Sequence, residues 1–211
     1  MRVAKGAVAG GASLLLFAVG APVRGASASA STPAPLFERS LAPPSYRFHL
    51  DVAMAMRHFP WLHFHLQGEG VYEPGVSYVV HFDSVPWFIP RSHHDADLSM
   101  LDPLMWPKKY TYVETGQRDD ETFFDLHALD DPTLRDAVVT IGPRGRARQV
   151  DATYIDGTKI ETKVSSGDVD GFFLPETMSA DIDEPHMALS ANADFKDYSF
   201  AQTPVSRIDS Q

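Results

Sequence analysis

The 211-residue chain contains no cysteine. No disulfide can staple it, no thiolate can act as nucleophile or metal ligand, and no lipid can be attached through a cysteine. Positive charge is scarce: 18 Lys and Arg stand against 28 Asp and Glu, a formal net charge of −10. A chain this acidic has no basic stripe for nucleic acid, is repelled as a whole by anionic lipid surfaces, and is expected to have no nucleic-acid partner. The sequence also lacks a G-x-S-x-G elbow, a phosphate-cradling Gly loop and an H-E-x-x-H pair. Gly68-Glu69-Gly70 stops before a third glycine, and Asp168-Val169-Asp170-Gly171 starts like a calcium loop without completing one. No catalytic residue and no cofactor is therefore expected; an enzyme with site residues gathered from distant strands is the remaining catalytic reading. Helix-period segments are few, and 16 Pro with 14 Gly interrupt the chain at short intervals. This favours a β-rich single domain.

What is present begins with an address label. Arg2 and Lys5 precede an apolar run over 7–19, and Ala26-Ser27-Ala28 or Ala28-Ser29-Ala30 offers an A-x-A site. The apolar run is shorter than the roughly 20 residues a spanning helix needs. Residues 1–30 are therefore expected to be a cleaved signal peptide, with an uncleaved anchor as the alternative. Losing Arg2, Lys5 and Arg24 takes the net charge from −10 to −13. Residues 31–44 read as a flexible Pro/Ser/Ala lead-in with at most a helical turn around Leu36, 45–198 as one domain, and 199–211 as a loose polar tail.

Strand patterns fill the domain. Tyr46, Phe48, Leu50, Val52, Met54 and Met56 alternate with polar or small residues, one strand of about eleven residues. Pro60 is read as ending or bending it, Phe64 and Leu66 continue the parity, and Gly68-Glu69-Gly70 reads as a turn. Tyr78, Val80 and Phe82 follow the Pro74-Gly75 turn. Tyr110 and Tyr112 pair with Phe124 and Leu126, Asp131-Pro132 reads as a helix start, and Val138, Val139 and Ile141 make the next strand. The meander over 146–198 is the clearest part. Val150, Ala152 and Tyr154 turn at Asp156-Gly157 into Ile160, Thr162 and Val164. After a break at Ser166–Gly171 come Met178, Ala180 and Ile182, then Met187, Leu189, Ala191, Ala193 and Phe195. A period of two puts each set on one face of an antiparallel sheet, apolar on one side and wet on the other.

That apolar face needs a cover, and residues 83–109 are the candidate. They carry Trp87-Phe88-Ile89, a polar knot at His93-His94-Asp95, and Leu98, Leu101, Met105 and Trp106 at helix-like spacing, with Pro103 confined to a first turn. The fold class expected is mainly β with short helices (α+β): a curved antiparallel sheet, an unclosed half-barrel, with a helical lid over an apolar concavity.

An exported cysteine-free chain with a long first strand, Phe82-Asp83-x-x-Pro86, and then an apolar insertion has a recognisable order. It closes with Arg146-x-x-x-Val150-x-x-x-Tyr154-x-Asp156-Gly157, Val169-x-Gly171-Phe172-x-Leu174-Pro175 and Phe195-Lys196-Asp197-Tyr198. Over about 46–198 this resembles the periplasmic lipoprotein-carrier superfamily, the LolA and LolB type of outer-membrane lipoprotein-sorting protein. The resemblance implies an unclosed barrel with a short-helix lid, an acyl chain held in the concavity, and a periplasmic or secreted location.

On that reading Phe48, Leu50, Val52, Met54, Phe64, Val80, Phe82 and Leu189 line the cavity, and Trp87, Phe88, Ile89, Leu101, Met105 and Trp106 form the lid. Methionine and aromatic side chains adapt to ligands of variable shape; the alternative is that they pack on one another as ordinary core. The partners expected are a lipid or acylated protein and an envelope membrane protein, with the protein itself a monomer. A sensor or interaction module of the same fold is the alternative function. His63-x-His65 and His93-His94 are the weak metal candidates, but no ligand set has recognisable spacing and no metal is expected.

Overall fold

A computed structural model describes residues 42–83 and 95–201. Among the described residues eleven strands form one antiparallel sheet. The first three are β1 (Tyr46–Met56), β2 (Phe59–Glu73) and β3 (Ser77–Phe82), followed by the short β4 (Asp95–Asp97). After the connecting segment come β5 (Tyr110–Arg118), β6 (Glu121–Ala128), β7 (Leu134–Ile141) and β8 (Ala147–Tyr154). The sheet is completed by β9 (Lys159–Val169), β10 (Phe172–Glu184) and β11 (Met187–Phe200).

The spatial order is β4-β3-β2-β1-β11-β10-β9-β8-β7-β6-β5. Every neighbouring pair is consecutive in the chain except β1 and β11, which lock the two ends of the domain together in the middle of the sheet. The two edges, β4 and β5, are themselves consecutive in sequence. Residues 98–109 cross the gap between them, so the sheet is an unclosed barrel whose open seam is spanned by its own chain. β2, β10 and β11 run to 15, 13 and 14 residues, longer than most strands. Strands of that length accumulate the right-handed twist that curls a sheet around its apolar face.

The alternation in β1 is carried out as its pattern predicts: Tyr46, Phe48, Leu50, Val52 and Met54 are buried and their neighbours face out. On β11 the inward set is Leu189, Ala191, Ala193 and Phe195. The register places Val52 against Ala193 and Met54 against Ala191, large opposite small, so the alanines leave room for the bulky side chains of β1. One continuous core links these residues to Phe124, Leu126, Val139 and Ile141 on the opposite arm.

Several local expectations are corrected. Gly68-Glu69-Gly70 is not a turn; it lies inside β2, opposite Leu50, His49 and Phe48. The reason is a close approach: the Phe48 ring lies over Gly70, where any β-carbon would overlap it. The reversal between β1 and β2 comes earlier, at Arg57-His58, before Pro60 is reached. Ser166-Gly167 is likewise strand, and the turn is Asp170-Gly171, both with positive φ (52° and 84°), the geometry of a two-residue hairpin. Asp131-Pro132 starts no helix. The Asp131 carboxylate accepts from the Thr133 N–H (2.8 Å) and hydroxyl (2.6 Å) and leads straight into β7. Ser199 and Phe200, expected in a loose tail, close β11 against Arg47 and Tyr46. Residues 1–30, the turn around Leu36 and the tail from 202 lie outside the described residues.

Candidate functional site

The inward residues expected to line a cavity lie together. Phe48, Leu50, Val52, Met54, Val80, Phe82 and Leu189 are all buried in the one core, with Phe64 half-buried against it. Phe48 is the hub of an aromatic cluster. Its ring stacks on Phe195 at 5.3 Å and Tyr198 at 5.8 Å and meets the edge of Tyr78 at 6.0 Å. Tyr46 stacks on Tyr72 at 4.7 Å beside it. These rings come from β1, β2, β3 and β11; alternation puts most of them on one face, and the extra residue of β11 at Asp197 (φ 51°) brings Tyr198 onto the face of Phe195.

The segment that crosses the seam is built from turns. Ser99–Leu101 and Pro103–Met105 are single 3-10 turns, and α1 (Trp106–Lys109) is one helical turn with Pro107 near its start. A long helix was never available here: Pro103 and Pro107 lack backbone donors and force breaks. Asp102 caps the second turn by accepting from the Leu104 N–H at 3.2 Å. Leu98 N–H donates to the Tyr78 carbonyl at 2.8 Å, which ties the segment to β3. Lys108 reaches the Gly75 carbonyl and Lys109 pairs with Asp97.

Leu101, Met105 and Trp106, expected in the lid, are as deeply buried as the strands. Trp106 is 0 % exposed, packs edge-on against Phe124 (5.3 Å) and Tyr112 (5.6 Å), and donates its indole N–H to the Met100 carbonyl at 3.1 Å. The segment fills the seam rather than resting above it. Trp87, Phe88, Ile89, His93 and His94 lie outside the described residues. His63 and His65 point outward on β2 with ring centroids 6.4 Å apart. Among the described residues no three His, Cys, Asp or Glu side chains gather as metal ligands.

Sequence reasoning missed a polar knot inside the apolar face. Asp102 is 1 % exposed, and burial holds its carboxyl above the usual carboxylate range against the opposing pull of the Leu104 N–H, Tyr72 and Arg146. Burial also pushes the Tyr72 and Tyr78 phenols up; the Arg146 guanidinium and the Asp102 carboxyl both lie close enough to be felt there. Yet Tyr72 Oη, Tyr78 Oη and Asp102 Oδ2 are buried without a well-formed hydrogen bond among the described residues. The one signal that could have exposed this knot was an Asp-Pro inside an apolar run and three alternating arginines after Pro143.

Two cavities lie at the same end of the sheet. One, of about 300 Å³, opens between the start of β1, the end of β2 and the end of β11, against Tyr46, Tyr72 and Phe200. The other, of about 250 Å³, lies between the β7–β8 turn and the paired β9–β10 strands.

A curled antiparallel sheet with one open seam, crossed by a short turn-and-helix segment, has known counterparts. A LolA-superfamily protein from Nitrosomonas europaea superposes with a TM-score of 0.53 at 11% identity, over 76% of this chain and 88% of that one. The fold is LolA-like. A domain from Vibrio parahaemolyticus classed with the outer membrane lipoprotein-sorting proteins gives a TM-score of 0.52 at 11% identity, over 78% of this chain and 88% of that chain. A DUF1329 family protein from Desulfovibrio piger gives 0.54 at 8% identity, over 76% and 87%. Neither a family profile nor a curated protein sequence matches the chain. The LolA-like architecture therefore rests on shape, at identities far too low to carry a residue's role across.

Proposed function

We propose that the protein is an exported, non-catalytic carrier that holds the acyl chain of a lipid or lipidated protein between the curled sheet and the segment over 98–109. The observation that carries this reading is the seam itself. Apart from the knot at Asp102 the inner face is apolar from one arm to the other, and what spans it is a twelve-residue segment of two 3-10 turns and one α-helical turn. Phe48, Leu50, Val52, Met54, Phe64, Val80, Phe82 and Leu189 would face the chain, and Leu101, Met105 and Trp106 would give way to it. Each buried methylene contributes about 0.8 kcal/mol, so half a fatty-acyl chain supplies roughly 6 kcal/mol, the same scale as releasing the three side chains it would displace. The LolA-like fold and the lipoprotein-sorting relative support the class, and the n-, h- and c-region pattern of residues 1–30 supports export to an envelope compartment.

The test is organic-solvent extraction of protein purified natively from its own envelope, read by mass spectrometry, together with titration of a fluorescent fatty acid. A bound amphiphile and saturable probe uptake are expected. Uptake of no acyl probe sinks the carrier.

One observation favours a second reading, an interaction module of the same fold docking on a membrane partner. At the β1–β2 hairpin Trp61 is 74% exposed, beside Phe59 at 49%, their rings 6.0 Å apart. Trp61→Ala would abolish partner recruitment and leave acyl uptake unchanged on that reading.

A further inference from the structure

The turn between β7 and β8 places Arg144, Arg146 and Arg148 within five residues of a chain whose net charge is −10. Arg144 has a φ of 63°, a left-handed conformation that non-glycine residues rarely take. That backbone lays its guanidinium over the Phe173 ring, 4.8 Å from the centroid. Arg146 and Arg148, the hydroxyl-bearing Ser165 and Ser166, and Phe173 border the cavity of about 250 Å³. Its inner wall is Ala147 and Val164, both members of the continuous core. A polar mouth thus abuts the apolar core.

The positive charge here is incompletely neutralised. Arg148 pairs with Glu121 at 3.0 Å, and the Glu176 carboxylate lies against Gly167 next to Ser166. Among the described residues neither Arg144 nor Arg146 has a carboxylate within ion-pair distance. Arg146 is felt at Asp102 and at the Tyr72 hydroxyl, but burial disfavours the charged form of both groups. Arg146 and Arg148 at the cavity wall, Arg144 at its rim over Phe173, and two serines supply donors for a multi-oxygen anion, and among the described residues no acidic residue borders the cavity. The cavity is smaller than the roughly 300–1,000 Å³ of whole-ligand sites, which suits a headgroup and excludes an entire lipid.

We propose that this pocket binds a phosphate group, and that it takes the phosphate headgroup of an amphiphile whose acyl chain continues past Ala147 and Val164 into the core. The second half rests on the carrier reading above. Repulsion between the acidic chain as a whole and an anionic bilayer does not oppose it, because the ligand is a single molecule met by a local cluster of arginines.

The experiment uses the full chain and three probes in calorimetric titration: 14-carbon lysophosphatidylglycerol, the matched neutral monoacylglycerol, and inorganic phosphate. The phospholipid is expected to bind about tenfold tighter than the neutral lipid, the scale of one charge-assisted hydrogen bond. Arg146→Gln and Arg144→Gln should each narrow that gap while leaving monoacylglycerol affinity unchanged. Arg144 is exposed, so its variant decides the matter if Arg146→Gln melts early. Equal binding of both lipids, unmoved by either variant, overturns the pocket and leaves the carrier standing. Arginine-dependent binding of inorganic phosphate with no binding of either lipid supports the pocket as a free-phosphate site and overturns the carrier. Binding of none of the three overturns both.

Discussion

The seam where β1 meets β11 and the segment that crosses from β4 to β5 bury side chains equally well, and do so by different means. Leu189 and Trp106 are both 0 % exposed. Leu189 sits on a strand hydrogen-bonded on both sides, to β1 and to β10, over long registers that are unbroken around Leu189, the one bulge against β1 lying away at Arg47/His49. Trp106 sits on a short segment whose outer ties include backbone bonds from Leu98 to Tyr78 and from Leu129 to Lys109, two lysines, and rings on β5 and β6. Equal burial therefore does not mean equal cooperativity. Regions with few backbone ties open locally at a cost below that of global unfolding.

The sharpest break of that comparison is a charge on the central seam. Leu189→Asp should abolish cooperative folding, because a buried unpaired carboxylate has no partner on the apolar face. Leu189→Ala should cost about 4 kcal/mol in urea unfolding, in the upper part of the range for buried leucines. Trp106→Ala should cost no more than about 3 kcal/mol, the low end for tryptophan, because the segment can release before the sheet does. If amide exchange shows the 98–109 segment protected as strongly as β11, the two regions are one unit and the difference disappears.

A smaller effect tests the packing between β1 and β2. Gly70→Ala must displace the Phe48 ring and should cost about 2 kcal/mol, recovered in large part by the double variant with Phe48→Leu. Loss without recovery would mean that backbone conformation, and not the ring, demands glycine there.

Asp102 provides a pH handle on the crossing segment. Its folded-state carboxyl lies above the ordinary value of 3.8, burial being the largest cause, so the native state holds the proton more tightly than the unfolded chain. Stability should fall as pH rises from about 4 through the folded-state titration and then level off. Asp102→Asn keeps an acceptor for the Leu104 N–H and should flatten that decline. An unchanged slope would place the titration elsewhere.

The smallest effect concerns β4, only three residues long. His81 bonds Asp95 at 2.7 Å, and that bond raises the imidazole above its usual 6.5. The contribution is present below pH 6.5 and lost as pH rises through the folded-state value, so exchange of the Ala96 amide should quicken over that interval. His81→Ala should remove the pH dependence with no measurable change in global stability, since both side chains are exposed.

The same contrast explains what could be read beforehand. β1 was legible residue by residue because alternation over eleven positions leaves one register with the apolar row inside. The turns at Pro74-Gly75 and Asp156-Gly157 were legible from local chemistry, with positive φ at Gly75 and Gly157. Gly68-Glu69-Gly70 misled because a glycine needed for a flexible turn and one needed for a ring above it are the same letter. The 98–109 segment was legible as a cover, but its depth was not. Whether Trp106 lies over a concavity or fills it depends on how far the sheet curls, which no local pattern encodes.

The sequence alone determined an acidic, cysteine-free β meander with one apolar face, because composition and a period of two are properties of single strands. Only the tertiary structure decided that β1 pairs with β11, and that the edges β4 and β5 are joined across an open seam. It alone brought the charge of Arg146 within reach of Asp102 and Tyr72, from parts of the chain that share no local pattern. Pairing between distant strands is chosen by the packing of whole faces against one another, and that energy exists only once the sheet has curled.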